Sequence, residues 1–314
     1  MTEAAEQTLS EGLVVTVYSG CCDVLVEGEV RLSNLVSEIA KTQKSSLAVG
    51  DRVLVQDTGE PRWLVTEVLP RRTLLSRPDP SRPDIERVIA ANVDIVAIVV
   101  AARDPTPRPG IIDRLWVATQ RGGAEAIIIV NKMDLANARY REALDELLAD
   151  YDELGVPIYR VSSQTGEGIE ALREAIRGNT ITLAGHSGVG KSSLLNVLFP
   201  QANARVGGVR ERDGKGRHTT SSSSLHFLDE ETAIIDTPGV RAFGLMDVGP
   251  DSLRFYFPDI HEVAQRCRFS DCRHVDEPDC AVLDAFDTGE LSELRYAAWL
   301  RLLSSEDDIR LKRR

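Results

Sequence analysis

Residues 185 to 192, Gly-His-Ser-Gly-Val-Gly-Lys-Ser, fit the phosphate-binding pattern G-x-x-x-x-G-K-[ST] in full. They stand between an apolar strand-like run, Ile181 to Ala184, and a helix-like run, Ser193 to Leu198. A strand–loop–helix of this kind commits the surrounding chain to an α/β domain. The expected phosphate seat is Gly185, His186, Ser187, Gly188, Val189, Gly190, Lys191, Ser192 and Ser193. Its glycines let backbone N–H groups wrap a β-phosphate, Lys191 reaches the β/γ oxygens, and Ser192 can ligate Mg²⁺.

Two further segments complete the nucleotide site. Ala233 to Gly239 reads as an apolar strand running into Asp-Thr-Pro-Gly. Asp236 at the strand end can hold Mg²⁺ through water, and the Gly239 N–H can meet a γ-phosphate. Asn131-Lys132-Met133-Asp134 follows the buried-type strand Ala126 to Val130. A carboxylate at Asp134 can accept from guanine N1–H and N2–H₂, a donor pair that adenine lacks, so it selects GTP over ATP. The Lys132 stem would stack along the base. Ser162 and Ser163, at the end of another strand, are expected to place backbone N–H groups at guanine O6.

The order of these segments is unusual. Base reading at 131–134 and 162–163 precedes the phosphate loop, whereas most GTPases run the other way. The same site forms if the chain is circularly permuted, because only the strand connections change. The Asp236–Gly239 segment then leads straight into whatever follows it. Strands are expected at Val93–Val100, Val156–Val161, Ser224–Leu228 and Ala233–Ile235, and the apolar spacing of Tyr140, Leu144, Leu147, Leu148, Tyr151 and Leu154 predicts a crossover helix.

Ahead of this domain, residues 13 to 69 hold short β-branched runs punctuated by turn residues: Leu13–Tyr18, Asp23–Val26, Arg52–Val55 and Trp63–Val68. Such runs predict a small OB-type barrel, an architecture that often binds oligonucleotides. Four prolines and four arginines between Pro70 and Asp84 read as a linker or a long surface connection. The acidic first dozen residues read as a disordered N-terminus without a secretory signal. No apolar run reaches the roughly 18 to 20 residues of a membrane span. With 37 basic against 49 acidic residues, a generic nucleic-acid coat is excluded, so any RNA contact must be local. The candidates are the linker arginines, Arg205 to Arg217, and the C-terminal Arg310 to Arg314.

Past residue 248 the pattern is helical around Cys267-x₄-Cys272-x-His274-x₅-Cys280. Three sulfurs and one imidazole at this spacing predict a closed, structural Zn²⁺ site. The other two of the five cysteines, Cys21 and Cys22, read as packing residues in a chain from a reducing compartment.

The permuted order, the preceding barrel, the Gly216-Arg217-His218-Thr219-Thr220 segment and the cysteine spacing together resemble the RsgA (YjeQ) family of small ribosomal subunit biogenesis GTPases. The resemblance covers roughly residues 12 to 303. It implies a multidomain α/β protein with an added β-barrel: an OB-fold RNA-binding barrel at 13–75, a circularly permuted P-loop GTPase domain at 84–247 and a helical zinc-binding domain at 248–314. It also implies a cytoplasmic monomer that binds the small ribosomal subunit and its rRNA, exchanges GTP and GDP, touches neither membrane nor DNA, and hydrolyses GTP under stimulation by the subunit. Arg31-Leu32-Ser33-Asn34 stands where the family commonly has a basic Leu-Arg-Gly-Lys stretch.

The residue after Gly239 is Val240, so the glutamine that orients water in many small GTPases is missing. By the family pattern His218 carries hydrolysis; it is expected to position or polarise the water, with Lys191 neutralising charge and either Thr219 or Thr220 closing on Mg²⁺. Two other classes compete: a nucleotide-gated binder of another structured RNA, and an ATP-using kinase or ATPase, which Asn131 to Asp134 disfavour.

Overall fold

The computed structural model describes residues 9–41, 47–79, 81–82, 84–200, 223–237, 245, 248 and 250–311. His218, Thr219, Thr220 and Gly239, the basic run 205–217 and the last three residues lie outside them.

Strands β1 (Leu9–Val17), β2 (Cys21–Val26) and β3 (Glu29–Leu35), helix α1 (Ser37–Lys41), and strands β4 (Arg52–Gln56) and β5 (Trp63–Val68) form the N-terminal unit. The pairings run β1–β2–β3–β5–β4 and close through β4 with β1, with β3 and β5 parallel. This is the five-stranded OB barrel expected from the alternation. Val14, Cys22, Val24, Val26, Val53, Val55 and Val65 fill it, so Cys22 is a packing residue. The barrel starts earlier than Leu13. Residues 9 to 12, expected to be disordered, pair with Gln56 to Val53 of β4. Ser10, Glu11 and Gly12 lack apolar alternation because they enter the strand through backbone pairing.

The expected linker is also structured. β6 (Leu74–Pro78) and β7 (Glu86–Ala91) make an antiparallel hairpin. Asp79 closes its loop by accepting from the Ser81 and Arg82 N–H groups at 2.9 and 3.2 Å. Pro78 stands at a strand end, where the missing donor is tolerated.

The second sheet comprises β8 (Ile95–Ala101), β9 (Glu125–Asn131), β10 (Ile158–Arg160), β11 (Thr180–Ala184), β12 (Ser224–Phe227) and β13 (Ala233–Asp236). Its order is β10-β9-β8-β11-β13-β12, parallel throughout except for β12. All seven residues of β8 are buried, because helices cover both faces. Val96, Ile98 and Val100 pack towards α2 (Pro109–Arg121) and α3 (Ala138–Glu153). Ile95, Ala97 and Val99 pack towards α4 (Ile169–Ile176) and α5 (Lys191–Leu198). The chain lays β8, β9 and β10 outwards, then returns to set β11 against the other edge of β8. That reversal opens a crevice at the carboxyl ends of β8 and β11, where open α/β sheets bind ligands.

The C-terminal helices are α6 (Pro250–Leu253), α7 (Pro258–Ala264), α8 (Ala281–Asp287) and α9 (Glu293–Leu311). Their core joins that of the sheet through edge-to-face aromatic contacts: Trp299 with Phe257 at 5.6 Å, Phe257 with Trp116 at 6.3 Å, and Trp116 with Tyr151 at 6.5 Å. No helix among the described residues is long and apolar enough to cross a membrane.

Candidate functional site

The phosphate loop leaves β11 and enters α5 at the crevice. Gly185 has φ 150° and Gly190 φ 95°. A Cβ on Gly185 would stand 2.2 Å from the Val99 carbonyl oxygen, and one on Gly190 would stand 2.3 Å from Asn131 Nδ2. Both positions therefore need glycine for conformation and for space. Lys191 Nζ donates to the carbonyls of Gly185 and His186 at 2.8 and 2.9 Å, which lays its ammonium across the loop. Ser187, Ser192 and Ser193 are exposed, as a surface that meets a ligand requires.

A cleft of about 440 Å³ is lined by Ser187, Gly188, Gly190, Lys191, Ser192 and Ser193 from the loop, by Lys132, and by Asp236 and Thr237 at the end of β13. Burial raises the Asp236 carboxyl above its ordinary range, and the His226 and Lys191 charges oppose the rise. A half-buried carboxylate lining the same cleft as an exposed serine hydroxyl is a donor set that suits a hard divalent cation.

The base-reading residues lie on the neighbouring strand ends. Asn131 is fully buried and ties two loops together: its Nδ2 donates to the Val189 carbonyl at 3.0 Å, and its Oδ1 accepts from the Ser163 N–H at 3.1 Å. Lys132 takes a left-handed φ of 62°, and its Nζ donates to the Asp104 carbonyl. Asp134 is exposed and accepts from the Ser162 hydroxyl at 2.5 Å. The Ser163 N–H donates to Asn131 Oδ1 and the Ser162 N–H to the Glu167 carbonyl at 2.9 Å. The two serines thereby also hold Asn131 and Asp134 in place.

The Cys₃His residues converge in the C-terminal half. Their four donor atoms all lie within 4.8 Å of one another. Cys267 Sγ is 3.9 Å from Cys280 Sγ and 3.7 Å from His274 Nδ1, and Cys280 Sγ is 3.4 Å from the same nitrogen. A zinc tetrahedron with Zn–S of about 2.3 Å and Zn–N of about 2.0–2.1 Å has edges of roughly 3.5–3.8 Å, so the group fits a zinc site. Desolvation by burial, with the neighbouring thiols, pushes Cys272 up to about 12, so this sulfur needs a cation to be held as a thiolate.

Residues around this cluster escaped sequence reasoning. Glu277 accepts from the Arg273, Val275 and Asp276 N–H groups, and these bonds outweigh its desolvation and hold its carboxyl at about 2. Tyr296 Oη donates to the His274 carbonyl at 2.9 Å, and Trp299 Nε1 to that of Arg273 at 3.0 Å. The Asp104-Pro105 turn beside Lys132 was also missed. Its only sequence signal was a turn dipeptide shortly after an apolar strand.

A phosphate loop on a central strand, a base-side loop locked to it by a buried asparagine, and an entry into the sheet from the base-reading side define a circularly permuted P-loop GTPase. The family model described as "RsgA GTPase" matches residues 68–246. A small ribosomal subunit biogenesis GTPase RsgA from Gemmatimonas aurantiaca is 38% identical, with 94% of this chain and 97% of that protein aligned. The Haemophilus influenzae protein of the same name is 37% identical over 96% of this chain and 87% of its own. Among solved structures, YjeQ from Thermotoga maritima superposes with a TM-score of 0.73 at 33% identity, covering 95% of this chain and 98% of that one. YloQ, described as a circularly permuted GTPase, does so at 0.70 and 27% identity, covering 98% of each chain. The chain belongs to the RsgA GTPase family.

Proposed function

We propose that this chain hydrolyses GTP to GDP and phosphate on the small ribosomal subunit late in its assembly, with the nucleotide state setting when it binds and leaves. The observation that carries the GTP-site reading is Asn131, whose side chain donates to the phosphate loop at the Val189 carbonyl and accepts from the Ser163 N–H of the neighbouring loop. The subunit as partner rests on the names of the full-length relatives. In this reading Asp134 selects guanine, Lys132 lies along the base, and residues 185–193 with Asp236 and Gly239 hold the phosphates.

Ser192 and Thr220 would hold the Mg²⁺ that accompanies GTP, which would supply charge neutralisation to the phosphates. Cys267, Cys272, His274 and Cys280 hold one structural Zn²⁺. The barrel at 13–75, with the basic stretches, meets rRNA. The working form is a cytoplasmic monomer, and neither a membrane nor DNA is among its partners.

His218 orients or polarises the attacking water, since Val240 cannot. His218→Ala is expected to leave GDP affinity near wild type and to lower subunit-stimulated kcat by about 10²–10⁴-fold. A variant that keeps the stimulated kcat would assign the water to another group.

The test of the function as a whole is steady-state hydrolysis of GTP and of ATP, with and without small ribosomal subunits, using a structured RNA of similar length as control. GTP-selective turnover that rises only with the subunit is the expected result. Equal stimulation by any structured RNA would favour a nucleotide-gated RNA module, and a preference for ATP would overturn the role of Asp134.

A further inference from the structure

The helix that carries the outer wall of the cysteine cluster also reaches the nucleotide side of the molecule. Arg301 of α9 lies along the first turn of α2, where a Cβ on Gly110 would stand 3.5 Å from its Cδ. Its Nη2 donates to Asp113 Oδ2 at 2.9 Å. Asp113 is buried, and its other oxygen accepts from Tyr151 Oη of α3, so one carboxylate ties three helices together. None of these groups belongs to the nucleotide site itself.

What α2 does next gives this tie its consequence. Its N-terminus is fed directly by residues 102 to 108, the turn that leaves β8. That turn is pinned at its start, where the Ala102 N–H donates to the Asn131 carbonyl at 2.8 Å. It then passes between the two halves of the site. The Asp104 carbonyl accepts from Lys132 Nζ, and a Cβ on Gly188 of the phosphate loop would stand 3.7 Å from Pro105 Cδ. The position of the Lys132 ammonium, and with it the run of its stem, therefore depends on where the turn lies. The turn has two fixed ends, Ala102 on the sheet and the first turn of α2, and Arg301 with Asp113 holds the second.

We infer that Arg301 is a positioning residue for guanine-nucleotide binding: through Asp113 and α2 it sets the 103–105 turn that seats Lys132. The inference rests on the reading of Lys132 and Asp134 as base-contacting residues. It makes the C-terminal helical half a determinant of nucleotide affinity through direct packing. Lys132 covers the base whichever purine substituents it carries, whereas Asp134 reads the N2 amino group. Loss of the Arg301 tie should therefore weaken GDP and IDP equally, leaving their ratio intact.

The experiment measures dissociation constants of GDP, IDP and ADP for the full chain, wild type and Arg301→Met, with zinc content and thermal melting alongside. Arg301→Met keeps the apolar stem over Gly110 and removes the charge. Mutations along such a contact path shift coupling enough to change affinity by roughly 3- to 30-fold, and the expected rise for GDP and IDP lies in that range, by a common factor. Arg301→Lys is expected to restore most of it. Where Arg301→Met does not fold, Asp113→Asn decides, since it keeps the side-chain shape, removes the ion pair and should raise both constants in the same way.

Unchanged affinity in a folded variant that has lost the ion pair would overturn the inference and leave the site reading standing. A collapse of the GDP/IDP ratio would overturn it too, because it would show general damage reaching Asp134. Wild-type protein without preference for GDP over ADP would overturn the site reading and the inference together.

Discussion

Lys191→Ala is expected to lower GDP affinity and GTP turnover together, the first by on the order of 10- to 100-fold. A hydrogen bond from a charged group contributes about 1.5–3 kcal/mol, and Lys191 would give its bonds to phosphate oxygens. Its ammonium already lies across the loop on the Gly185 and His186 carbonyls, so it reaches a phosphate seated there with little rearrangement. The loss in kcat/KM should exceed the loss in affinity, because negative charge builds on the leaving β-phosphate oxygens as the β–γ bridge breaks and this cation offsets it. Fluorescent-nucleotide titration and single-turnover hydrolysis of the same preparation separate the two. A variant that binds GDP as wild type does would show that the phosphates sit elsewhere than in the 185–193 loop.

Removal of the metal from the Cys₃His group should disrupt the C-terminal half. Structural zinc in small domains binds with apparent free energies of about 10–16 kcal/mol, all of it coupled to folding. Cys280→Ser is expected to lose one equivalent of zinc per chain and to change the fluorescence of Trp299. That ring lies 5.5 Å from the His274 ring, and its Nε1 bonds the carbonyl next to it. Metal analysis and tryptophan emission, before and after chelation, report the two events. A Cys280→Ser protein that retains zinc and wild-type emission would mean that the four residues are not the metal site.

Much of this organisation was legible in the sequence. The phosphate loop and Asn131–Asp134 each follow a run apolar enough to be buried on both faces, and β8, β9 and β11 are buried in that way. The cysteine spacing was sufficient to gather four donors because all four lie within one short segment. The barrel was legible through β2 and β4, whose alternate residues point inwards. Less legible was whatever backbone pairing decides. Ser10 to Gly12 carry no apolar signal, yet they close the barrel. The arginines and prolines of 70–84 conceal a hairpin whose stabilising contacts are long-range, as where Arg121 of α2 reaches Glu86 at 2.7 Å. The sequence also does not show that a buried asparagine will take the Ser163 N–H, a contact that depends on the fold bringing the two loops together.

The short contact between the two sheets has a meaning for solubility. Thr16 of β1 pairs with Ser224 of β12, so the barrel's first strand continues beside the outermost strand of the P-loop sheet. An outer strand that offers unpaired N–H and C=O groups is a template for other chains, and natural proteins cover, charge or shorten such edges. Here the barrel covers one end of that strand, through the Thr16–Ser224 pair. A fragment beginning after the barrel would keep the P-loop sheet but leave the rim at β12 bare, with Val15 and Val49 stripped from the core they share with Leu225 and Ile235. The N-terminal unit thus covers part of the neighbouring sheet's edge, independently of anything that it binds.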